Sequence, residues 1–194
     1  MITWQVVVGG PLARADERLS DAVVRPGRFA ELLADLGGVA VAVPVLVVAL
    51  GYAGLCARSR GLPRWWAAPA AAAGLMALLP GLIVPLKEVV ARPGPPVMGP
   101  GTGFYPSGHT ATAVVAYGAA VVVLLPWFRT ALARRVLIGF CAVLNLAVAA
   151  GLVRRGYHFP LDVVGSWCLC LPLLAGLAVF LRRVTSRALS RSSR

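Results

Sequence analysis

Charged residues cut the chain into apolar runs of similar length. Leu36 to Ala57 is free of charge between Asp35 and Arg58, and Trp65 to Leu86 between Arg64 and Lys87. Val136 to Val153 lies between Arg135 and Arg154, and Val163 to Leu181 between Asp162 and Arg182. A longer window, Pro93 to Phe128, opens with the turn-rich stretch MGPGTGFYPSG and settles into an apolar run from about Ser107 to Trp127. A bilayer core about 30 Å thick takes roughly 20 helical residues to cross. The pattern therefore predicts five membrane spans, with the Gly- and Pro-rich stretch as a connection.

The first 34 residues follow another pattern. MITWQVVV is too short to span and lacks the charged start and cleavage site of a signal peptide. Asp16, Glu17, Asp21 and Glu31 alternate with Arg14, Arg18, Arg25 and Arg28, while Leu19, Ala22, Val23, Leu32 and Leu33 return at roughly helical spacing. This reads as an interfacial amphipathic segment leading into the first span, with a sixth, degenerate span as the alternative. The expected fold class is all-α, a polytopic membrane helix bundle. Its parts are an amphipathic segment over 1–34, a membrane domain over 35–181 and a basic tail over 182–194.

Composition agrees. Apolar residues make up 59% of the 194 and charged residues 13%, against about 25% charged in a soluble domain. That excludes an ordinary soluble domain, a disordered chain and a nucleic-acid-binding module, despite a net charge of +12. Arg58, Arg60, Arg64, Arg129, Arg134, Arg135 and the C-terminal arginines share one side, which the positive-inside rule makes cytoplasmic. The N-terminal segment, with four Arg against five acids counting Asp35, falls on the other side. A short chain of this kind suits a bacterial plasma membrane, with the C-terminus cytoplasmic. Trp65, Trp66 and Trp127 read as interfacial anchors, and Gly74, Ala70 to Ala73 and Gly151 as positions for close helix packing. Cys56, Cys141, Cys168 and Cys170 lie in apolar runs and read as buried small hydrophobes, without disulfide or metal.

The rare ionisable residues are the informative ones. The chain has two histidines, His109 and His158, and one lysine, Lys87; beyond Asp35 its only acids are Glu88 and Asp162. All lie at the non-cytoplasmic ends of spans, together with Arg92, Arg154 and Arg155. Ionisable groups at membrane depth are costly and read as functional. The cations suit a phosphate, which takes charge-assisted and bidentate bonds. Pro106 stands at the expected first position of the third span, so Ser107, Gly108 and His109 fall in its first turn, where open amides and the helix dipole favour an anion. Gly156 is placed to end the fourth span and Pro160 to start the fifth. His158 and Asp162 are four apart and can face one another. A carboxylate on one ring nitrogen leaves the other free to attack, and a second histidine across the site suits a general acid. Two His and one Asp among Lys and Arg make a poor cation site, so no metal is expected.

Three segments carry a resemblance. They are Lys87-Glu88-Val89-Val90-Ala91-Arg92-Pro93, then Pro106-Ser107-Gly108-His109, then Arg154-Arg155 with His158 and Asp162. In order and spacing the chain resembles the phosphatidic acid phosphatase type 2 and vanadium haloperoxidase superfamily, in its membrane lipid-phosphate phosphatase branch. The resemblance implies that His158 is a nucleophile forming a phosphohistidine, Asp162 orients it and His109 protonates the leaving oxygen. It implies that Lys87, Arg92, Ser107, Gly108 and an arginine of the third motif hold the phosphate, with no cofactor. Two departures stand out. The family commonly places six residues between the first-motif lysine and its Arg-Pro; here four separate Lys87 from Arg92, and Gly94 stands where the Arg is usual. The third-motif arginine usually precedes the histidine by six, a position held here by Leu152, leaving Arg154 and Arg155 as the two candidates.

The expected activity is hydrolysis of a lipid phosphate or prenyl diphosphate at the extracytoplasmic membrane surface. The partners are that substrate and the membrane lipids, with no nucleic acid. Phosphatidate, phosphatidylglycerol phosphate and undecaprenyl diphosphate all offer a terminal phosphate on an apolar tail, and the sequence does not choose among them. A phosphotransferase of the same superfamily and a non-catalytic protein that binds anionic lipid are the alternatives.

Overall fold

The computed structural model describes residues 2–192, with side chains described through residue 184. Its helices are α1 (Ile2–Val7), α2 (Pro11–Val23), α3 (Arg28–Asp35), α4 (Val39–Ser59), α5 (Ala67–Val90), α6 (Gly108–Leu124), α7 (Ala131–Arg155) and α8 (Pro160–Ser192). Five are long and apolar enough to cross a membrane, α6 by way of a tight final turn that ends at Trp127. They begin and end within a few residues of the charge-free windows. Helices α1, α2 and α3 are 6, 13 and 8 residues long, too short for the sixth span that was the alternative.

The spans surround α6, which packs against α4, α5, α7 and α8. Two thirds of α6 is buried, against a third or less of the other spans. Its alanines at 111, 113, 116, 119 and 120 are all buried and let the neighbouring helices close in. The outward faces of α4, α5 and α7 carry exposed Val48, Leu55, Leu78, Val89, Phe140 and Val143. In a span such a face meets lipid tails. Arg58 stacks over Trp65 and Arg60 over Trp127 at the end of the bundle away from the histidines, which suits interfacial anchoring. The expected basic tail lies outside the residues with described side chains from 185 onward.

The N-terminal segment does more than float at an interface. Ala13, Asp16 and Ser20 form a buried face on α2, and α3 lies along α7. Gly151 permits that contact, since a Cβ there would sit 2.5 Å from the Ala34 amide nitrogen. The Arg25 N–H donates to the Arg154 carbonyl at 2.8 Å, tying the end of α2 to the end of α7. Trp4, Phe29 and Leu32 remain exposed, as an interfacial segment requires. Other expectations are corrected. Gly74 has nothing near its missing Cβ, so it is not a close-packing position. Of the four cysteines only Cys170 is buried, Cys56 and Cys141 are half-buried and Cys168 is exposed.

Candidate active site

The third motif folds as its glycine and proline dictate. Gly156 takes φ 77°, a left-handed conformation that caps α7 and turns the chain, and Pro160 opens α8. Asp162 then falls in the first turn of α8 with no solvent exposure. Its Oδ2 accepts the Phe159 N–H at 3.0 Å and faces His158 Nδ1 at 3.3 Å; its Oδ1 accepts Arg92 Nη1 at 2.6 Å. An ionised carboxylate only accepts, so the ring proton belongs on Nδ1 and the lone pair on Nε2. Phe104 meets the His158 ring edge-on, with centroids 5.9 Å apart.

The second motif starts α6 two residues later than the proline rule predicts. Pro106 lies outside the helix; Ser107 is the cap, its Oγ accepting the Thr110 N–H at 3.3 Å and the Thr110 hydroxyl at 3.1 Å. Ser107 is fully buried. The Ala111 N–H goes to the Ser107 carbonyl, which leaves the Gly108 and His109 amides as the open donors of this helix end.

The first motif divides. Lys87, near the end of α5, donates from Nζ to the Gly103 carbonyl at 2.9 Å. The chain then breaks at Ala91, at φ 45°, before Arg92-Pro93. Arg92 is buried, with Nη1 on Asp162, Nη2 on Asp16 Oδ2 at 2.7 Å and its plane over the Phe159 ring at 4.4 Å. Both terminal nitrogens face carboxylates, so Arg92 stands behind the His158–Asp162 pair instead of on the open side expected of a phosphate ligand. Asp16 Oδ1 also accepts the Leu161 N–H at 2.9 Å. Burial raises the Asp16 carboxyl above its ordinary range, against the opposing pull of Arg92 and the Leu161 N–H.

A cavity of about 670 Å³ runs between α4 and α5. Val43, Leu46, Leu50, Met76, Ala77 and Ile83 are among its walls, and Lys87, Gly108, His109 and His158 line it as well. His109 is exposed to it, and the charges that act on His109 are those of His158, Asp35 and Lys87. The arginines of the third motif do not line it. Arg154 is exposed and shares a shallow groove with Arg25. Arg155 lies over the Tyr157 ring at 5.2 Å, with its Nε buried and without a protein acceptor. Among the described residues no cluster of three or more His, Cys, Asp or Glu side chains is placed to hold a metal ion.

A family model described as the PAP2 superfamily matches residues 68–186. The chain belongs to the PAP2 superfamily. The match spans all three motifs and four of the five membrane helices. The fold is similar to the crystal structure of the first transmembrane PAP2 type phosphatidylglycerolphosphate phosphatase from Bacillus subtilis. The TM-score is 0.77 at 22% identity, over 94% of this chain and 93% of that one. No curated protein sequence matches the chain. This is therefore a multi-pass membrane protein with a PAP2 phosphatase fold.

Asp16, Ser166 and Phe104 were not among the sequence candidates. Ser166 Oγ donates to the Ser107 and Asp162 carbonyls, each at 2.9 Å. Asp16 had a faint signal: it sits with Ala13 and Ser20 on one small-residue face of α2, where the other charges of that helix do not fall.

Proposed function

We propose that this PAP2 protein is an integral membrane phosphatase that hydrolyses a lipid phosphate or prenyl diphosphate through a phosphohistidine. The carrying observation is that His158, backed by Asp162, lines the same cavity as His109 and Lys87, a cavity otherwise walled mostly by apolar side chains. The cavity suits a tail and its polar residues suit a phosphate.

In this reading Nε2 of His158 attacks phosphorus and the bond to the leaving oxygen breaks. Asp162, on Nδ1–H, stabilises the imidazolium that forms. His109 gives its proton to the leaving oxygen, then takes one from the water that cleaves the phosphorus–nitrogen bond. Lys87 and the open amides of Gly108 and His109 hold the phosphate oxygens. Arg155, with a spare buried donor, suits the third-motif role better than exposed Arg154. Ser107 contributes by capping α6, and Arg92 by holding Asp162. No metal is needed in this scheme: both Asp162 oxygens are already engaged by Arg92, Phe159 and His158. We place the site on the extracytoplasmic side of the plasma membrane and the C-terminus in the cytoplasm, on the arginine distribution.

One observation favours a second reading. With Arg92 turned to carboxylates and Arg154 exposed, Lys87 is the one cationic side chain lining the cavity among the described residues. A non-catalytic protein binding anionic lipid would have such a site. The deciding experiment is phosphate release by purified protein in detergent with EDTA. The substrates are phosphatidate, phosphatidylglycerol phosphate (after the structurally similar phosphatase) and undecaprenyl diphosphate. Release that is lost in His158→Ala supports the phosphatase; no release from folded protein, with lipid still bound, supports the second reading.

A further inference from the structure

A buried carboxylate on the N-terminal segment needs a reason, because taking a charge out of water is costly unless its partners are well placed. Asp16 is 5% exposed and has two partners, Arg92 and the Leu161 N–H. Both lead to His158. Arg92 holds Asp162 Oδ1, while Leu161 lies beside Asp162 in the first turn of α8. A single carboxylate would already neutralise Arg92. The second leaves the Asp16–Arg92–Asp162 triad with one net negative charge, directly behind the His158 Nδ1–H.

That surplus charge matters when Nε2 bonds to phosphorus and the ring becomes positive. Without Asp16, the Arg92 charge would fall wholly on Asp162, making its oxygen a weaker acceptor for Nδ1–H. The remaining charged groups around His158 are His109 from α6 and Lys87 from α5, both on the cavity side, and Arg155 of α7 beyond Tyr157. Asp35, at the end of α3, acts on His109 from the cavity side, while Asp16 and Asp162 are the acids on the Nδ1 side of His158 among the described residues.

We propose that Asp16 is a positioning residue for His158, acting through Arg92 and Asp162 to hold the imidazole with its proton on Nδ1 and a net negative charge behind it. The proposal rests on the reading of His158 as the nucleophile. It gives the N-terminal segment a part in the chemistry: α2 completes the charge set of a site otherwise built from residues 87–162.

The chain's two histidines make a direct test practical. Full-length protein labelled with ¹⁵N at the histidine rings, in detergent micelles, gives two sets of signals, and His158→Ala assigns them. In Asp16→Asn the His158 signals are expected to show mixed tautomers and to titrate at a pH lower by about half a unit or more. With phosphatidate as substrate, kcat is expected to fall about tenfold with KM within about twofold, and the acid limb of kcat/KM to move to lower pH. Asp16→Glu keeps the charge and is expected to hold the His158 titration at its wild-type position. Identical shifts in both variants would assign the effect to packing and overturn the proposal, as would wild-type His158 signals in folded Asp16→Asn. Should Asp16→Asn not fold, Arg92→Lys, which cannot span two carboxylates, takes its place; unchanged tautomers there overturn the proposal. If wild type and His158→Ala alike release no phosphate, the phosphatase reading falls, and the ring signals still decide the role of Asp16.

Discussion

The Ser107 backbone N–H donates to the Asp162 carbonyl at 3.1 Å. This bond joins the cap of α6 to the first turn of α8, and so sets His109 and His158 in one frame. Ser166 closes the same junction, its hydroxyl shared between the Ser107 and Asp162 carbonyls. Ser166→Ala leaves neither carbonyl empty, because Ala111 N–H still reaches the first and Ser107 N–H the second. The expected cost is about 1 kcal/mol, read as a melting temperature lower by about 2–4 °C. A few-fold loss of kcat should accompany it. An unchanged melting curve and kcat would mean that the Ser107 amide alone holds the junction.

Lys87 is expected to serve the phosphate, held in place by the Gly103 carbonyl. Lys87→Met should lower kcat/KM by about 10²–10³-fold, the scale for one lost transition-state donor. Lys87→Arg should not restore it, since a planar fork does not replace a compact ammonium held against one carbonyl. Full activity in Lys87→Arg would show that charge alone suffices there.

The cavity between α4 and α5 predicts where the tail lies. Ala77 is a small wall residue that is not buried in the core. Ala77→Trp should fill the space and raise KM for a long-chain lipid phosphate about tenfold, or about 1.4 kcal/mol. It should leave kcat and KM for a short-chain phosphate within about twofold. Equal losses on both substrates would place the tail elsewhere or show a folding defect.

The spans were legible because charge-free windows of bilayer length admit little else, and α6 stood out by its polar start. Gly156 and Pro160 marked the turn between α7 and α8 for the same local reasons that form it. Local rules failed where partners are distant. Pro106 satisfies the rule for a helix start, yet Ser107 makes the cap because its hydroxyl reaches Thr110. The shortened spacing from Lys87 to Arg92 was visible; that Arg92 pairs with Asp16 and Asp162 was not, because the pairing joins residues 16, 92 and 162 across the fold. Alternating charges on α2 read as the polar side of an interfacial amphipathic segment, and only packing shows that Asp16 points inward.

Asp16 also predicts how stability responds to pH. Burial raises its carboxyl above the ordinary 3.8, outweighing the Arg92 pairing and the Leu161 N–H that lower it. Above 3.8 the folded chain therefore keeps a proton that the unfolded chain has released. Stability from this group falls as pH rises through that window and levels once the folded carboxyl ionises; below it both states are protonated alike. Asparagine does not titrate, so the stability of wild type relative to Asp16→Asn should decline as pH rises above about 4 and level off once the folded carboxyl ionises. Thermal unfolding of both proteins in the same detergent across that range measures the difference. A difference that moves in favour of wild type as pH rises would mean that Arg92 wins over burial and holds the Asp16 carboxyl below its ordinary range.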